Sequence, residues 1–236
     1  MPSARIIGLG RAGSSFAAAL VAVGWNVHGV ARGEPVSRAA ADVDLVLICT
    51  PDAVVETVAH SIEPGSAVVG HVAGSLGLGV LGAHDRRAGI HPLLALPNAE
   101  VGADRLLNSG WFAVAGDPIA AEVVVGFGGR SFSVADADRP IYHAAACIAA
   151  NHVVALMGQT ERLAETIGVP LEAYIDLARS SIENVADLGP AHALTGPAAR
   201  GDTETIRLHL ESLPEAERDA YRAMAAEAQR LAEKGS

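Results

Sequence analysis

Apolar positions along this chain follow two different rhythms. In the first part, short unbroken apolar runs alternate with stretches of helical period. Ile6-Ile7 leads into Gly8-Leu9-Gly10-Arg11-Ala12-Gly13, after which Phe16, Leu20 and Val23 recur on one helical face until Gly24 stops it. Asn26 to Val30 reads as the next strand. Leu45-Val46-Leu47-Ile48-Cys49 has the continuous apolar character of a parallel strand covered on both faces. Thr50-Pro51-Asp52 ends it, and a helix is expected over 53–62. Ser66 to Val72, Gly89 to Pro92, Trp111 to Ala115 and Ser131 to Val134 complete the strand set. This alternation predicts an α/β domain built on a doubly wound, parallel, Rossmann-like sheet.

Near Asp136 the rhythm changes. From Arg139 to Lys234 it is almost entirely helical, punctuated by Gly168-Val169-Pro170, Gly189-Pro190 and Thr195-Gly196-Pro197. Two domains follow: a sheet domain over 1–136 and an all-helical domain over 137–236.

The first turn carries the earliest chemistry. Gly8 permits a tight turn, Gly10 lets backbone approach a pyrophosphate, and Gly13 lets the helix sit close on the strand. With Arg11 and Ala12 they place free N–H groups and the positive end of a helix dipole where phosphates bind. Placed after an apolar strand and before an alanine-rich helix, the motif points to a dinucleotide. An NAD site usually carries an acidic residue at the end of the second strand, whereas this chain has Val30-Ala31-Arg32. Arg32 suits a 2′-phosphate and favours NADP, with NAD as the minority alternative through Glu34. The carboxyl ends of strands line the crevice of such sheets, so Thr50, Pro51 and Asp52 join the cofactor-binding set, with His71 to Ser75 nearby.

Composition narrows the partners. The 236 residues are half apolar, enough for a real core, and carry a formal charge of -10 without a basic run. Nucleic acid and anionic membranes are therefore excluded as expected partners. With no early apolar leader and no 18-residue apolar span expected, the protein reads as cytoplasmic. Cys49 and Cys147 lie in apolar stretches without CxxC spacing and read as buried thiols. His71, His84 and His91 lack the spacing of a metal site, and none is expected.

In the helical half, Tyr142, His143, Cys147, Asn151 and His152 fall on one helix, 140–157. His143, Cys147 and Asn151 are four residues apart and share a face. His143 is a candidate proton donor to a developing alkoxide, and Asn151 a group that holds the oxygen without titrating. The loop Leu194-Thr195-Gly196-Pro197-Ala198-Ala199-Arg200-Gly201-Asp202-Thr203 offers Arg200 as a fork for a substrate carboxylate, with Asp202 holding it or instead capping the next helix. Glu183 and Asn184 supply further candidate contacts.

On GLGRAG, Tyr142-His143-Ala144-Ala145-Ala146, Asn151-His152, Glu183-Asn184-Val185, Gly189-Pro190 and above all ALTGPAARGD (193–202), the chain resembles a bacterial family that joins a Rossmann-like domain to a helical domain of formerly unknown function. That family is similar to the 6-phosphogluconate dehydrogenase-like, 3-hydroxyisobutyrate, pyrroline-5-carboxylate and ketopantoate reductases. The resemblance implies a 6-phosphogluconate dehydrogenase C-terminal-like helical domain, an NAD(P)-dependent oxidoreductase, and a homodimer formed through the helices. It makes ketopantoate, in pantothenate synthesis, the leading small-molecule carboxylate substrate. Hydroxyacid dehydrogenase relatives carry a lysine and, four residues on, an asparagine on this helix, where this chain has His143 and Cys147. The active site is expected between the domains. Two alternatives stand beside this reading: a nucleotide-binding redox sensor without turnover, and a reductase of an imine or β-hydroxyacid. His143 and Asn151 facing the cleft between the domains favour an enzyme, and buried against other helices, a sensor.

Overall fold

The computed structural model describes residues 1–108 and 110–235; Ser109, and Ser236 at the end of the expected helical domain, lie outside the described residues. The chain opens with β1 (Ser3–Ile7), α1 (Arg11–Ala22), β2 (Asn26–Val30) and β3 (Leu45–Ile48). A single 3-10 turn, Asp52–Val54, leads into α2 (Val55–His60), followed by β4 (Val68–His71), β5 (Arg87–Pro92), α3 (Ala99–Leu107), β6 (Trp111–Gly116), α4 (Ile119–Gly126) and β7 (Arg130–Ser133).

These strands form one seven-stranded sheet in the order β2-β1-β3-β4-β5-β6-β7. The chain leaves β1 toward one edge, returns, and continues from β3 toward the other. The topological switch therefore falls between β1 and β3, directly beyond the carboxyl ends where Gly8 and Cys49 emerge. Every residue of β3 and β4 is buried, as expected for central strands covered on both faces. Phe16, Leu20, Leu106, Phe112, Val123 and Phe127 fill one face, and Val46, Ile48, Val55, Ala59, Ile62 and Val69 the other.

The sheet is not wholly parallel. β1 to β5 run together, but β6 pairs antiparallel with β5, and β7 follows β6. The cause lies in α3, which the apolar rhythm did not reveal. Asn98 caps it, accepting from Val101 N at 2.9 Å, and it packs on α1 instead of carrying the chain back along the sheet. A Cβ on Gly102 would stand 2.0 Å from Ser15 Oγ, so this approach needs a glycine. The chain then re-enters the sheet reversed.

The last strand ends at Ser133, close to the change of rhythm, yet the compact units divide later, as Met1–Asn151 and His152–Ser236. The first takes in α5 (Arg139–Cys147) and nearly all of a π-helical segment, Ile148–His152. Side chains explain this: Arg139 is 1% exposed, and Tyr142 makes edge contacts with Phe132 and His91. Contrary to the expectation of no long apolar span, the 32-residue helix Asp136–Ile167 contains an 18-residue stretch with mean hydropathy 1.4, long and apolar enough to cross a membrane by length and composition. The reason is that residues 140–160 contain no Asp, Glu, Lys or Arg.

The second unit consists of α6 (Val153–Ile167), α7 (Leu171–Leu188), two single turns, α8 (Pro190–Ala193) and α9 (Gly196–Ala199), then α10 (Thr203–Ser212) and α11 (Glu215–Gly235). Gly168 ends α6 in the left-handed region at φ 69, and Pro170 precedes α7. Arg162 grips Glu217 with both prongs, at 2.6 and 3.0 Å. Among its described side chains only Ala164 is buried.

Candidate functional site

The glycine turn has the geometry its spacing implies. Gly8 takes φ 92, and a Cβ on Gly13 would fall 2.0 Å from the Gly8 carbonyl oxygen. Around Gly10 such a Cβ would meet nothing within 4 Å, so its backbone faces open space. Gly10 caps α1 without a side chain, and the first helical hydrogen bond is Ser14 N to Gly10 O at 2.9 Å. The N–H groups of Arg11, Ala12 and Gly13 are thus left for a ligand, and no acidic residue in the first turn opposes an anion.

A cavity of about 870 Å³ opens beside this turn, walled by Gly8, Gly10, Arg32, Glu34, Thr50 and Pro51 among others. Thr50 Oγ1 is buried there without a hydrogen-bond partner among the described residues, a polar atom that a ligand would satisfy. Orphaned hydroxyl, open glycine and free helix N-terminus together fit a dinucleotide. Asp52 is not part of the cavity wall; its Oδ2 accepts from Ser75 Oγ at 2.6 Å and ties the loop after β3 to the loop after β4. Arg32 makes no hydrogen bond or ion pair to another described residue, while Glu34 Oε2 accepts from Ala31 N at 2.7 Å. Cys49 lies under the turn, near the positions that side chains on Gly8 and Gly13 would take, and burial pushes its thiol pKa up.

A second cavity, about 610 Å³, opens at the end of β5. His143 and Asn151 both line it, together with Cys147, His91 and Arg105. His143 and Asn151 therefore share not just a helix face but a cavity. The His143 ring stands edge-on to His91, with centroids 5.8 Å apart, and its Nε2 is 3.7 Å from Cys147 Sγ. His143 Nδ1 is buried without a hydrogen-bond partner among the described residues. His91 Nδ1 lies 2.6 Å from the Tyr142 hydroxyl. Burial, reinforced by the positive charges of His143 and Arg139, holds the His91 pKa down to about 4. Burial also raises the Tyr142 pKa, keeping the phenol protonated.

His71 and His84 do structural work. His71 accepts from Ala73 N at Nδ1 (3.2 Å) and donates from Nε2 to Gly77 O (3.3 Å), shaping the loop after β4. Burial lowers its pKa against the opposing pull of the Gly77 carbonyl. His84 Nε2 reaches Ala59 O at 2.9 Å.

Arg200 and Asp202 lie in the second unit. Asp202 caps α10: Oδ1 accepts from Thr205 N at 3.0 Å and Oδ2 from Thr205 Oγ1 at 2.7 Å, and these bonds lower its pKa. The expectation that it grips Arg200 is corrected, because both oxygens are taken up by a first-turn threonine, the ordinary use of an aspartate before a helix.

The sequence reading missed three contributors. Arg105 belongs to α3, a helix the apolar rhythm did not show. Gly74 sits where a Cβ would stand 2.6 Å from His143 Nδ1 and 2.7 Å from His91 Nε2. His91 itself was legible as polar chemistry at a strand end, but was weighed only as a metal ligand.

Residues 113–228 match the family described as Domain of unknown function (DUF2520). No curated protein matches the chain. Among solved structures it is similar to one described as an NADP oxidoreductase from Bacteroides fragilis, with TM-score 0.81 and 19% identity, covering 97% of this chain and 98% of that one. It is also similar to pyrroline carboxylate reductase from Plasmodium falciparum with NADP bound, with TM-score 0.67 and 14% identity over 100% of this chain and 98% of that one. A reductive aminase from Aspergillus terreus in complex with NADPH and ethyl levulinate has TM-score 0.68 and 15% identity, covering 100% of this chain and 95% of that one. All three share the Rossmann-like fold with a helical second part.

Proposed function

We propose that this chain, whose residues 113–228 match the DUF2520 family, is an NADP-dependent oxidoreductase that reduces the carbonyl of a small 2-oxo acid. The observation that carries this reading is the single cavity into which His143, Asn151, His91 and Arg105 all open. A nucleotide sensor has no need of proton donors in such a cavity, and so the enzyme reading is favoured over the sensor.

The turn at Gly8, Gly10 and Gly13 and the N-terminus of α1 would hold the pyrophosphate, with Thr50 and Pro51 along the wall and Arg32 toward the 2′-phosphate. When bound, NADPH supplies a hydride. His143 gives a proton to the oxygen on which charge builds, and Asn151 donates an amide N–H to a substrate hydroxyl without titrating. Arg105 takes the substrate carboxylate, because it is the cation on the cavity wall and one of its prongs is already anchored on Ala95 O. Arg200 is the second candidate for that role.

Ketopantoate is the first compound to test. A second reading, reduction of a C=N bond, is favoured by the likeness to a pyrroline carboxylate reductase and a reductive aminase. NADPH oxidation measured against ketopantoate, other 2-oxo acids and cyclic imines tests both. Turnover above about 1 s⁻¹ with a 2-oxo acid is expected, at the lower end of ordinary enzymes. Turnover with imines alone moves the function to the second reading, and none with any compound overturns both. In the active system, His143→Ala should lower kcat at least about 100-fold with NADPH affinity unchanged. Arg105→Ala should chiefly raise KM.

A further inference from the structure

Two imidazole nitrogens converge on one small volume at the end of β4. An atom at the place of the missing Gly74 Cβ would stand 2.6 Å from His143 Nδ1 and 2.7 Å from His91 Nε2. The two nitrogens are therefore close enough to share a single acceptor beside Gly74. Neither has a hydrogen-bond partner among the described residues, and His143 Nδ1 is buried. Both rings line the 610 Å³ cavity.

The far side of each ring is held. The Tyr142 hydroxyl, 2.6 Å from His91 Nδ1, is a better donor than acceptor toward an imidazole, so it donates and leaves the His91 proton on Nε2. Protonated His143 carries a proton on Nδ1 whatever its partner, and its Nε2 faces Cys147 Sγ at 3.7 Å. The result is two N–H donors aimed together.

We propose that His91 Nε2–H and His143 Nδ1–H form a two-donor site for the carbonyl oxygen of the substrate, which makes His91 a further catalytic residue and selects a ketone over an imine. This deepens the reductase reading and rests on it. A carbonyl oxygen has two lone pairs and accepts both donors at once, whereas an imine nitrogen has one lone pair and leaves a buried donor unpaired. As hydride adds to the carbonyl carbon, the C=O π pair moves onto oxygen. The oxygen takes the His143 Nδ1 proton, leaving neutral His143 with its proton on Nε2, and His91 keeps its own proton while its hydrogen bond strengthens. A side chain at Gly74 would press on both nitrogens and block them, so the glycine keeps the pair open.

The test is a titration of the full-length protein, labelled with ¹⁵N-histidine and free of cofactor, with oxamate, a 2-oxo acid isostere, and separately with 1-pyrroline. Oxamate should shift His91 Nε2 and His143 Nδ1 along one saturation curve, and 1-pyrroline should not move the two together. Gly74→Ala should abolish the paired response, and Tyr142→Phe should weaken it through His91 alone. In turnover, His91→Ala should lower kcat about 10²- to 10³-fold, as loss of an oxyanion donor does. His91→Gln, which keeps a neutral N–H near the Nε2 position, should restore most of it without moving the pH profile. A shift at one ring only, or a Gly74→Ala protein that responds like wild type, overturns the donor pair. Paired shifts in a protein that oxidises no NADPH support the donor pair and sink the reductase reading; turnover with His91 unmoved does the reverse.

Discussion

The Glu34 carboxylate accepts the Ala31 N–H at 2.7 Å, so at the end of β2 an anion already sits on backbone beside Arg32. A 2′-phosphate brought to Arg32 meets that carboxylate as a competitor. Arg32→Ala should weaken NADPH binding about 10- to 100-fold, the worth of a hydrogen bond to a charged group, and leave NADH nearly unchanged. Glu34→Gln should shift the preference further toward NADPH. Dissociation constants of both nucleotides for the three proteins check this, and a wild type preferring NADH would contradict it.

The glycines of the first turn should separate folding from binding. Gly13→Ala drives a methyl to within 2.0 Å of the Gly8 carbonyl oxygen, so α1 must lift from β1 and the protein should lose both stability and nucleotide. Gly10→Ala meets nothing within 4 Å. Its stability cost should be about 1 kcal/mol or less, the scale of a helix-cap change, while NADPH affinity collapses. Thermal melts with and without NADPH distinguish the two.

Acid should destabilise this fold through its histidines before its carboxylates. His91 has a folded pKa of about 4, against 6.5 for an ordinary histidine, and His71 is lowered in the same sense. Below the ordinary value the unfolded chain binds protons that the folded chain refuses, so stability is full above about pH 6.5 and falls as pH drops toward 4. His91 faces His143, Arg139, Asp52 and His71. Its contribution is about 3 kcal/mol at most, at 1.36 kcal/mol per pKa unit. Urea midpoints measured from pH 7 to 4 should decline, and His91→Gln should flatten the decline.

The helical unit should be a dimer. Ile167 is 67% exposed, Leu177 62%, Ile182 59% and Leu188 55%, and Ala164 is its one buried side chain among the described residues. A unit that covers so little of its own apolar surface needs a second copy to cover it. Light scattering at micromolar concentration should give twice the chain mass, and Leu177→Glu with Ile182→Glu should yield monomers. A wild-type monomer would refute the assignment.

What the sequence revealed depended on how local each signal was. β1, the glycine turn and β3 were readable because apolar runs and glycines act on their own neighbours. The pairing of His143 with Asn151 was readable from four-residue spacing, although the π-helical segment Ile148–His152 departs from the α-helical period. The reversal at β6 was not, because it rests on α3 packing against α1, a contact between residues some 85 apart such as Ser15 and Gly102. Arg105 was hidden with that helix. Gly74 was hidden differently: its neighbours His91 and His143 come from a strand and a helix far along the chain, and only the folded arrangement gives that glycine a meaning. Asp202 read correctly as a cap in one of two readings, since the sequence does not say which partner a short carboxylate will take.

Arg139 gives the site a charge that solution cannot reach. Its side chain is 1% exposed, its Nε donates to Asp136 Oδ1 at 3.2 Å, and its other two nitrogens have no hydrogen-bond partner among the described residues. Mobile ions screen exposed charges over a Debye length of about 10 Å at 0.1 M salt, but they screen buried ones far less. On the reductase proposal, rising ionic strength should therefore weaken the proposed Arg32 contact to the 2′-phosphate and leave the neutrality of His91 where it is, so that salt would change how tightly NADPH is held and not how the proton is handled.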